Sequence, residues 1–448
     1  MRTKKLIPAL AVLAVALPLA ACSSGSGGDS ADGGTVNWWT WDEKQAVSYK
    51  ECIAGFEEEN PGVTVNISQF GVDDYFTKLT AGFVAGNAPD AFQNSVQFFD
   101  AYAKQGQLEP LDGYIADSGY DLGVFNVGVK NWQYTDGKQY ALPLDWAGSA
   151  IYFNEDMVTA AGYTADDIAS MTWNPEDGGT FDDIATHLTI DENGVRGDEP
   201  GFDGTKVATY GVGNLGTEDY VGQTTWNPFV STTGWRLGEP AAWATEFRYD
   251  DPDFVKSMEW VRSLSDRGIA PKLGEFTIGD TEQLGSGKVA MSSGGSWSAT
   301  TFAQLPGVNV GIAPTVLGPD GTTRAMMSNS NGNEIWAGSK NKENAWKWIS
   351  YMGTEDCQTK AALQSGSFFP SIPGAMDAVA ADQLAKGVDL SVFVDAAKNG
   401  YIYPAYPSAN GSEMGTTIQP LFEAYFTHER DDDVFPEMAE TSKTILAG

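Results

Sequence analysis

The spacing of apolar residues over the first quarter of the chain predicts strands and helices in alternation. Residues 35–39 form a short apolar run, and apolar positions then recur at helical spacing between 43 and 60. Residues 63–67 alternate as a strand does, a helical stripe follows over 76–83, and 88–92 begins another strand. This rhythm predicts βαβ units and a mostly parallel sheet flanked by helices, an α/β fold.

The remainder of the chain is less regular but carries the same two signals. Strands are expected at 207–212 and 289–291, and helices at 253–265, 343–352 and 357–364. No short repeat or coiled coil interrupts this pattern. The length of 448 residues predicts two or three domains.

The N-terminus reads as an export signal. Residues 1–21 combine a basic start with an apolar run that is interrupted by prolines and too short for a comfortable membrane span, which predicts a signal peptide. The run ends in Leu-Ala-Ala-Cys and resembles the bacterial lipobox, so Cys22 is expected to be lipidated. Otherwise Cys22 is an ordinary residue near a plain secretory cleavage site. Residues 22–34 are rich in Gly and Ser and predict a flexible, lipid-anchored tether, the chain's only hold on the membrane.

The charge balance excludes several classes of partner and site. The chain has 27 Lys and Arg residues against 60 Asp and Glu residues, a formal net charge of −33, which argues against nucleic acid and anionic lipid. His187 and His428 are the only histidines, so a multi-histidine metal site is impossible. Phosphate-loop and serine-esterase motifs are absent, so we expect no enzyme and no organic cofactor. A glycosidase carboxyl pair remains an alternative.

Two cysteines follow Cys22. Outside the cytoplasm an even number of cysteines suggests a disulfide, here between Cys52 and Cys357. The alternative is two buried thiols that never meet.

An acidic loop offers a candidate calcium site. Oxygen-bearing side chains cluster at Asp191, Asn193, Asp198 and Glu199, and calcium prefers several such oxygen ligands. The spacing of an EF-hand fails, because Arg196 stands where that loop needs glycine. The alternative to a structural calcium ion is a solvated acidic loop.

Tryptophan is the main functional signal. Aromatic residues make up 12% of the chain, and several indoles stand beside carboxylates, amides or glycines rather than on apolar helical stripes: Trp41, Trp146, Trp226 and Trp297. Sugars present flat C–H faces to aromatic rings and hydroxyls to amides and carboxylates. For any one indole core packing is as good an account, but the set predicts a carbohydrate cleft.

Five stretches resemble one family: 56–65, 85–115, 140–163, 285–297 and 337–352. In this order, after a lipobox, they resemble the extracellular solute-binding lipoproteins of ABC importers, in the sugar-binding group that includes maltose-binding protein.

The resemblance implies a two-lobed periplasmic-binding-protein-like fold of type II, with a hinge of crossing segments. The N-terminal lobe would comprise 35–147 plus about 315–350, and the C-terminal lobe 148–314 plus about 351–448. Ligand would lie between the lobes, where the strands end.

The resemblance also implies the sugar-binding residues, which cluster after the first and third strands, at the first hinge crossing and on the second lobe. They are Trp41, Asp42, Asn94, Ser95, Gln97, Asp145, Trp146, Trp226, Trp297, Asn331 and Asn333. Asn94, Gln97 and Phe98 stand where maltose-binding protein carries Trp, Asp and Arg, which implies a different sugar specificity.

The expected function is capture of a di- or oligosaccharide by a monomeric receptor on the outer face of the bacterial cytoplasmic membrane. The receptor would hand the sugar to the transmembrane subunits of an ABC permease. The alternatives are another small solute (a polyamine or a glycerophosphodiester), a surface glycosidase, or a surface adhesin without a transport role.

Overall fold

The computed structural model describes residues 33–448, apart from 217–218, 240–241, 367 and 406. The predicted signal peptide, Cys22 and all but the end of the tether therefore lie outside the described residues. Within the described part, no helix is long and apolar enough to cross a membrane.

Strands and helices alternate along most of the chain. The strands are β1 (Gly34–Thr40), β2 (Val63–Gln69), β3 (Ala91–Ser95), β4 (Ala141–Ala147), β5 (Ser149–Asn154), β6 (Ile190–Asp191), β7 (Val207–Val212), β8 (Gly238–Glu239), β9 (Glu246–Phe247), β10 (Val289–Gly295), β11 (Val310–Ala313), β12 (Met326–Ile335) and β13 (Ile402–Pro404).

The α-helices are α1 (Glu43–Ser48), α2 (Lys50–Glu59), α3 (Val72–Ala85), α4 (Val96–Lys104), α5 (Asp112–Ser118), α6 (Glu155–Ala160), α7 (Ala165–Ala169), α8 (Gly179–Leu188), α9 (Asn227–Val230), α10 (Pro252–Asp266), α11 (Asp280–Gly285), α12 (Ala299–Ala303), α13 (Lys342–Met352), α14 (Glu355–Ser365), α15 (Pro373–Ala385), α16 (Ser391–Asn399), α17 (Gly411–Phe426) and α18 (Val434–Leu446).

The first sheet has the order β13-β12-β3-β1-β2, and β4 also pairs with β12. β1 is parallel to both β2 and β3, so the predicted βαβ units are confirmed. The single helix expected over 43–60 is divided into α1 and α2 at Tyr49. Because β1 and β3 are parallel, their carboxyl ends meet at one edge of this sheet.

The second sheet has the order β11-β5-β10-β7-β6. β10 is parallel to β7, whereas β5 is antiparallel to both β10 and β11. This sheet is therefore mixed rather than mostly parallel. A helical core that includes Trp226, Phe254 and Phe422 packs beside it.

The chain crosses from the first sheet to the second between β4 and β5, and returns between β11 and β12. These crossings fall near residues 147 and 314, where the expected lobe bounds change from one lobe to the other. The last hundred residues do not all join the second lobe, to which the expected bounds assign them. α14 lies on α1 and α2, and β13 joins the first sheet, whereas α17 and α18 join the second core.

A disulfide explains part of this arrangement. Cys52 on α2 and Cys357 on α14 are bonded, as the cysteine count suggested, with their Cα atoms 5.4 Å apart. The bond closes a sequence separation of 305 residues and holds α14 against the first lobe.

Candidate functional site

A cleft of about 730 Å³ opens between the two sheets. One wall comes from residues after β1 and β3, at the carboxyl edge of the first sheet. The other wall comes from the turn after β10 in the second sheet. Its floor is formed by the end of β4 and the middle of β12. The cleft thus lies at the position that the open-sheet rule predicts for a ligand.

The first wall is aromatic. Trp41 follows β1, and its indole lies edge-on to Tyr75 with ring centroids 5.2 Å apart. Phe76 lies 5.3 Å from Trp41 and stacks on Phe98 at 3.9 Å. Tyr75 and Phe76 lie on α3, and Phe98 lies on α4. The half-buried side chains of Trp41, Phe76 and Phe98 all line the cleft. The wall therefore presents a continuous apolar surface.

Trp297 forms the opposite wall. It sits in a single turn, Ser296–Ser298, that follows β10, and 40% of the residue remains exposed. A Cβ atom on Gly295 would lie 2.3 Å from the indole ring, so glycine at this position leaves room for Trp297. An indole kept at a cleft surface is available for stacking on a ligand.

Asp145 is the buried acid of the floor. Its carboxylate accepts hydrogen bonds from the backbone N of Asn331 at 3.2 Å, from Asn331 Nδ2 at 3.3 Å and from Gln45 Nε2. Burial raises the pKa of Asp145 to about 6, and the charge of Asp42 adds to the rise, while these hydrogen bonds oppose it. Asp42 caps α1 by accepting from Gln45 N at 2.8 Å.

The structure brings most of the predicted residues to this cleft. Those that line it are Trp41, Asp42, Ser95, Gln97, Asp145, Trp146, Trp297 and Asn331. Trp146 is only 1% exposed and reaches the cleft beside Asp145. Their contact with a sugar stays a prediction.

Asn94 and Asn333 do not line the cleft, which corrects the prediction for both. Asn94 is fully buried and donates from Nδ2 to Glu334 at 2.8 Å. Asn333 is 1% exposed and accepts from Trp38 Nε1 at 2.9 Å. Both amides are used inside the first sheet, where side chains of successive strand residues point to opposite faces.

Trp226 is also a correction. It is fully buried in the second core, where it stacks on Phe422 and lies edge-on to Phe254. The neighbouring amide that marked it as a candidate, Asn227, donates from Nδ2 to the carbonyl of Val221 at 2.9 Å. Trp226 is a core residue.

Several lining residues were not predicted from the sequence: Gln45, Phe76, Asn329 and Phe368. Gln45 is the most informative, because it is 2% exposed and its Oε1 has no hydrogen-bond partner among the described residues. A polar residue on the buried face of α1 is the signal that could have found it. Phe76 follows the apolar stripe of α3 and was indistinguishable from a core residue.

The acidic loop uses its side-chain oxygens for hydrogen bonds, and the calcium site predicted there stays a prediction. Asp191 accepts from the backbone N of Asn193 at 2.8 Å, Asp198 contacts His187 Nδ1 at 2.8 Å, and Glu199 accepts a backbone hydrogen bond of its own loop. Across the described residues, no three His, Cys, Asp or Glu side chains form a group able to hold a metal ion. Asp191 and Glu199 thus accept hydrogen bonds from backbone donors of the loop, and Asp198 contacts the preceding helix α8.

Comparison with known proteins places the cleft in context. The family model for bacterial extracellular solute-binding proteins matches residues 51–389. A putative binding protein of Brucella abortus is 24% identical over 429 residues, 93% of this chain and 94% of that one. The maltodextrin-binding protein MdxE of Bacillus subtilis is 26% identical over 370 residues, 79% of this chain and 77% of that one.

Solved structures share the fold. UspC of M. tuberculosis superposes with a TM-score of 0.73 at 22% identity, covering 92% of this chain and 100% of that one. An ABC substrate-binding protein of Listeria monocytogenes in complex with cycloalternan gives a TM-score of 0.74 at 19% identity, covering 92% and 98%. The fold is therefore the two-lobed fold predicted from the sequence.

Proposed function

We propose that this chain, which belongs to the bacterial extracellular solute-binding protein family, is the receptor of an ABC importer for a di- or oligosaccharide. The single observation that carries the proposal is one cleft with indoles on opposite walls, Trp41 and Trp297, above a floor of carboxylate and amide groups. Aromatic walls suit the C–H faces of a sugar ring, and polar floor groups suit its hydroxyls.

The relatives support this class of ligand. MdxE is named for maltodextrin, and the Listeria neighbour was solved with cycloalternan, so both names refer to oligosaccharides. The cleft volume of about 730 Å³ falls within the range of small-molecule sites.

Capture would use the hinge. A sugar that touches Trp41 on one wall and Trp297 on the other makes its full set of contacts only when both walls approach it. It therefore favours the closed arrangement by its differential affinity for the two states. The crossing between β4 and β5 is the expected pivot, and the sugar leaves chemically unchanged.

The receptor would act outside the cytoplasm, held at the membrane by the lipid on Cys22 and acting as a monomer. The export signal predicted for residues 1–21 and the Cys52–Cys357 disulfide support that compartment, because disulfides persist in oxidising environments. Transmembrane subunits of an ABC permease would receive the sugar.

A thermal-shift and calorimetry screen tests the proposal. The chain from residue 23 onward would be mixed with neutral and amino disaccharides and their longer oligomers. A ligand present at about 100 times its Kd stabilises the folded state by about 2.7 kcal/mol, which such a screen detects. Stabilisation by no sugar would refute the proposal, and release of new reducing ends from an oligosaccharide would show a glycosidase instead.

A further inference from the structure

The cleft carries an excess of negative charge. Its described lining includes the carboxylates of Asp42, Glu43 and Asp145 but one cation, Lys44, and neither arginine nor histidine. Asp42 and Glu43 lie at the start of α1, and Asp145 lies opposite them on β4. An anionic solute such as a uronic acid or a glycerophosphodiester would be repelled here.

The carboxylate in the floor has no cationic partner. Asp145 is 4% exposed, and the groups that act on it are amides of Gln45 and Asn331 together with the like charge of Asp42. A buried charge is stabilised far better by a hydrogen-bonded counter-charge than by neutral donors alone. Among the described residues, no positively charged group acts on Asp145 in this way.

A second acceptor beside Asp145 is unused. The Nε2 of Gln45 donates to Asp145, and since an ionised carboxylate only accepts, the amide is fixed with Oε1 turned away from it. This Oε1 is buried, lacks a partner in the described chain, and belongs to a side chain that lines the cleft. A ligand with several N–H donors would satisfy both oxygens at once.

We propose that the sugar recognised by this cleft carries a free, protonated amine, which binds at Asp145 and the Oε1 of Gln45 with Asp42 beside them. This inference rests on the proposed sugar-binding function and names the class of sugar. An ammonium group offers three N–H donors and a full positive charge. The indoles of Trp41 and Trp297 add a favourable environment for a cation.

The groups that face Asp145 set the expected pH dependence. These are Asp42, which precedes α1, the phenol of Tyr49 between α1 and α2, whose pKa burial raises well above its usual value, and the neutral Asn331 on β12. Glu43 and Lys44 lie further out, at the exposed rim. The amine should bind more weakly below about pH 6, because Asp145 then takes up a proton.

Matched sugars test the inference without any variant. Calorimetry at pH 6.5 would compare cellobiose, the β-1,4 glucosamine disaccharide and its N,N′-diacetyl form. A second set would compare trehalose with its 2-amino and 2-acetamido derivatives, so that two linkages are sampled. We expect the free amine to bind at least about tenfold more tightly than its hydroxyl and acetamido counterparts in one set, with an advantage that shrinks in high salt.

A variant assigns the preference to the floor. Asp145→Asn should bring two affinity ratios close to unity, that of the amine to its hydroxyl counterpart and that of the amine to its acetamido counterpart, both measured on the same variant. Asp117→Asn, at an exposed acid of α5 outside the cleft, is the matched control and should change neither.

The outcomes separate the two proposals. A neutral or acetylated sugar that binds as tightly as the amine overturns this inference and leaves the sugar receptor in place. Binding of spermidine as tightly as the amino sugar overturns the inference as well, because the site would then recognise positive charge alone. The absence of binding by every sugar overturns both proposals.

Discussion

Replacing Trp297 by alanine tests the cleft most directly. The indole stands on the second-lobe wall with 40% of the residue exposed, in the one-turn segment Ser296–Ser298, and Trp297 belongs to no hydrophobic core cluster of the described residues. Trp297→Ala should therefore weaken sugar binding while leaving the fold intact.

The magnitude follows from the exposed area. An enclosed aromatic side chain buries roughly 150–250 Å², so the 40% of Trp297 still exposed is about 60–100 Å². A sugar that covers one ring face removes about half of this from water, which contributes about 1 kcal/mol. Stacking adds about 1 kcal/mol. The sum of about 2 kcal/mol corresponds to a loss of roughly 30-fold in affinity.

Calorimetric titration with the best sugar from the screen, supported by a melting curve of the free variant, measures this loss. Trp297→Phe should recover part of the affinity, because it restores an aromatic face. Leu384→Ala is the control, since Leu384 is 59% exposed on α15 and lies outside the cleft. An affinity within twofold of the original in a folded Trp297→Ala protein would refute the stacking argument.

Three further predictions concern stability. Replacing Cys52 and Cys357 by serine should lower the free energy of unfolding by about 2–4 kcal/mol in denaturant titrations, without a comparable change in sugar affinity. Asp182→Ala should cost about 1–2 kcal/mol in the same assay, because it leaves the buried indole Nε1 of Trp260, which donates to Asp182 at 3.0 Å, without a partner. Lowering the pH from 7 to 5 should raise the free energy of unfolding of the free protein, because Asp145 takes up a proton near pH 6 in the folded state and only near about pH 4 in the unfolded chain. In melting curves, Asp145→Asn should reduce this increase in stability.

The first sheet was predictable because its signals are local. Each βα step of β1, β2 and β3 shows a change from alternating to helical spacing within a few residues. The antiparallel strand β5 was harder, since all of its residues are buried and a continuous apolar run carries no sign of its pairing direction. Packing of α14 on α1 and α2 depends on a disulfide between distant residues, which sequence spacing suggests but cannot place.

Part of the site could be predicted from tryptophans that stand next to a carboxylate in the sequence. Trp41 and Trp146 stand next to Asp42 and Asp145, and both pairs reach the cleft. Trp226 also has a polar neighbour and is nevertheless a core residue, because the amide of Asn227 donates its hydrogen bond to Val221 inside the second lobe. A polar neighbour in the sequence shows that a hydrogen-bonding group lies near the indole. It does not show whether that group already has a partner within the protein.

The floor of the cleft is carried by β4 and β12, the two strands of the first sheet that adjoin the crossings to the second sheet, and under the proposed function this would couple binding to closure. Asp145 on β4 and Asn331 on β12 are opposite residues of one antiparallel pair, and β4 ends two residues later at the crossing. At that crossing a Cβ on Gly148 would lie 2.2 Å from Met326 Sδ, so glycine at this position leaves room for the side chain of Met326 at the start of β12. Under the proposed function, a ligand held by Asp145 and Asn331 would act directly on the two strands that adjoin the crossings. β5 and β10 are paired up to Gly295, next to the turn that carries Trp297, so the proposed closure would reach that wall through this strand pair.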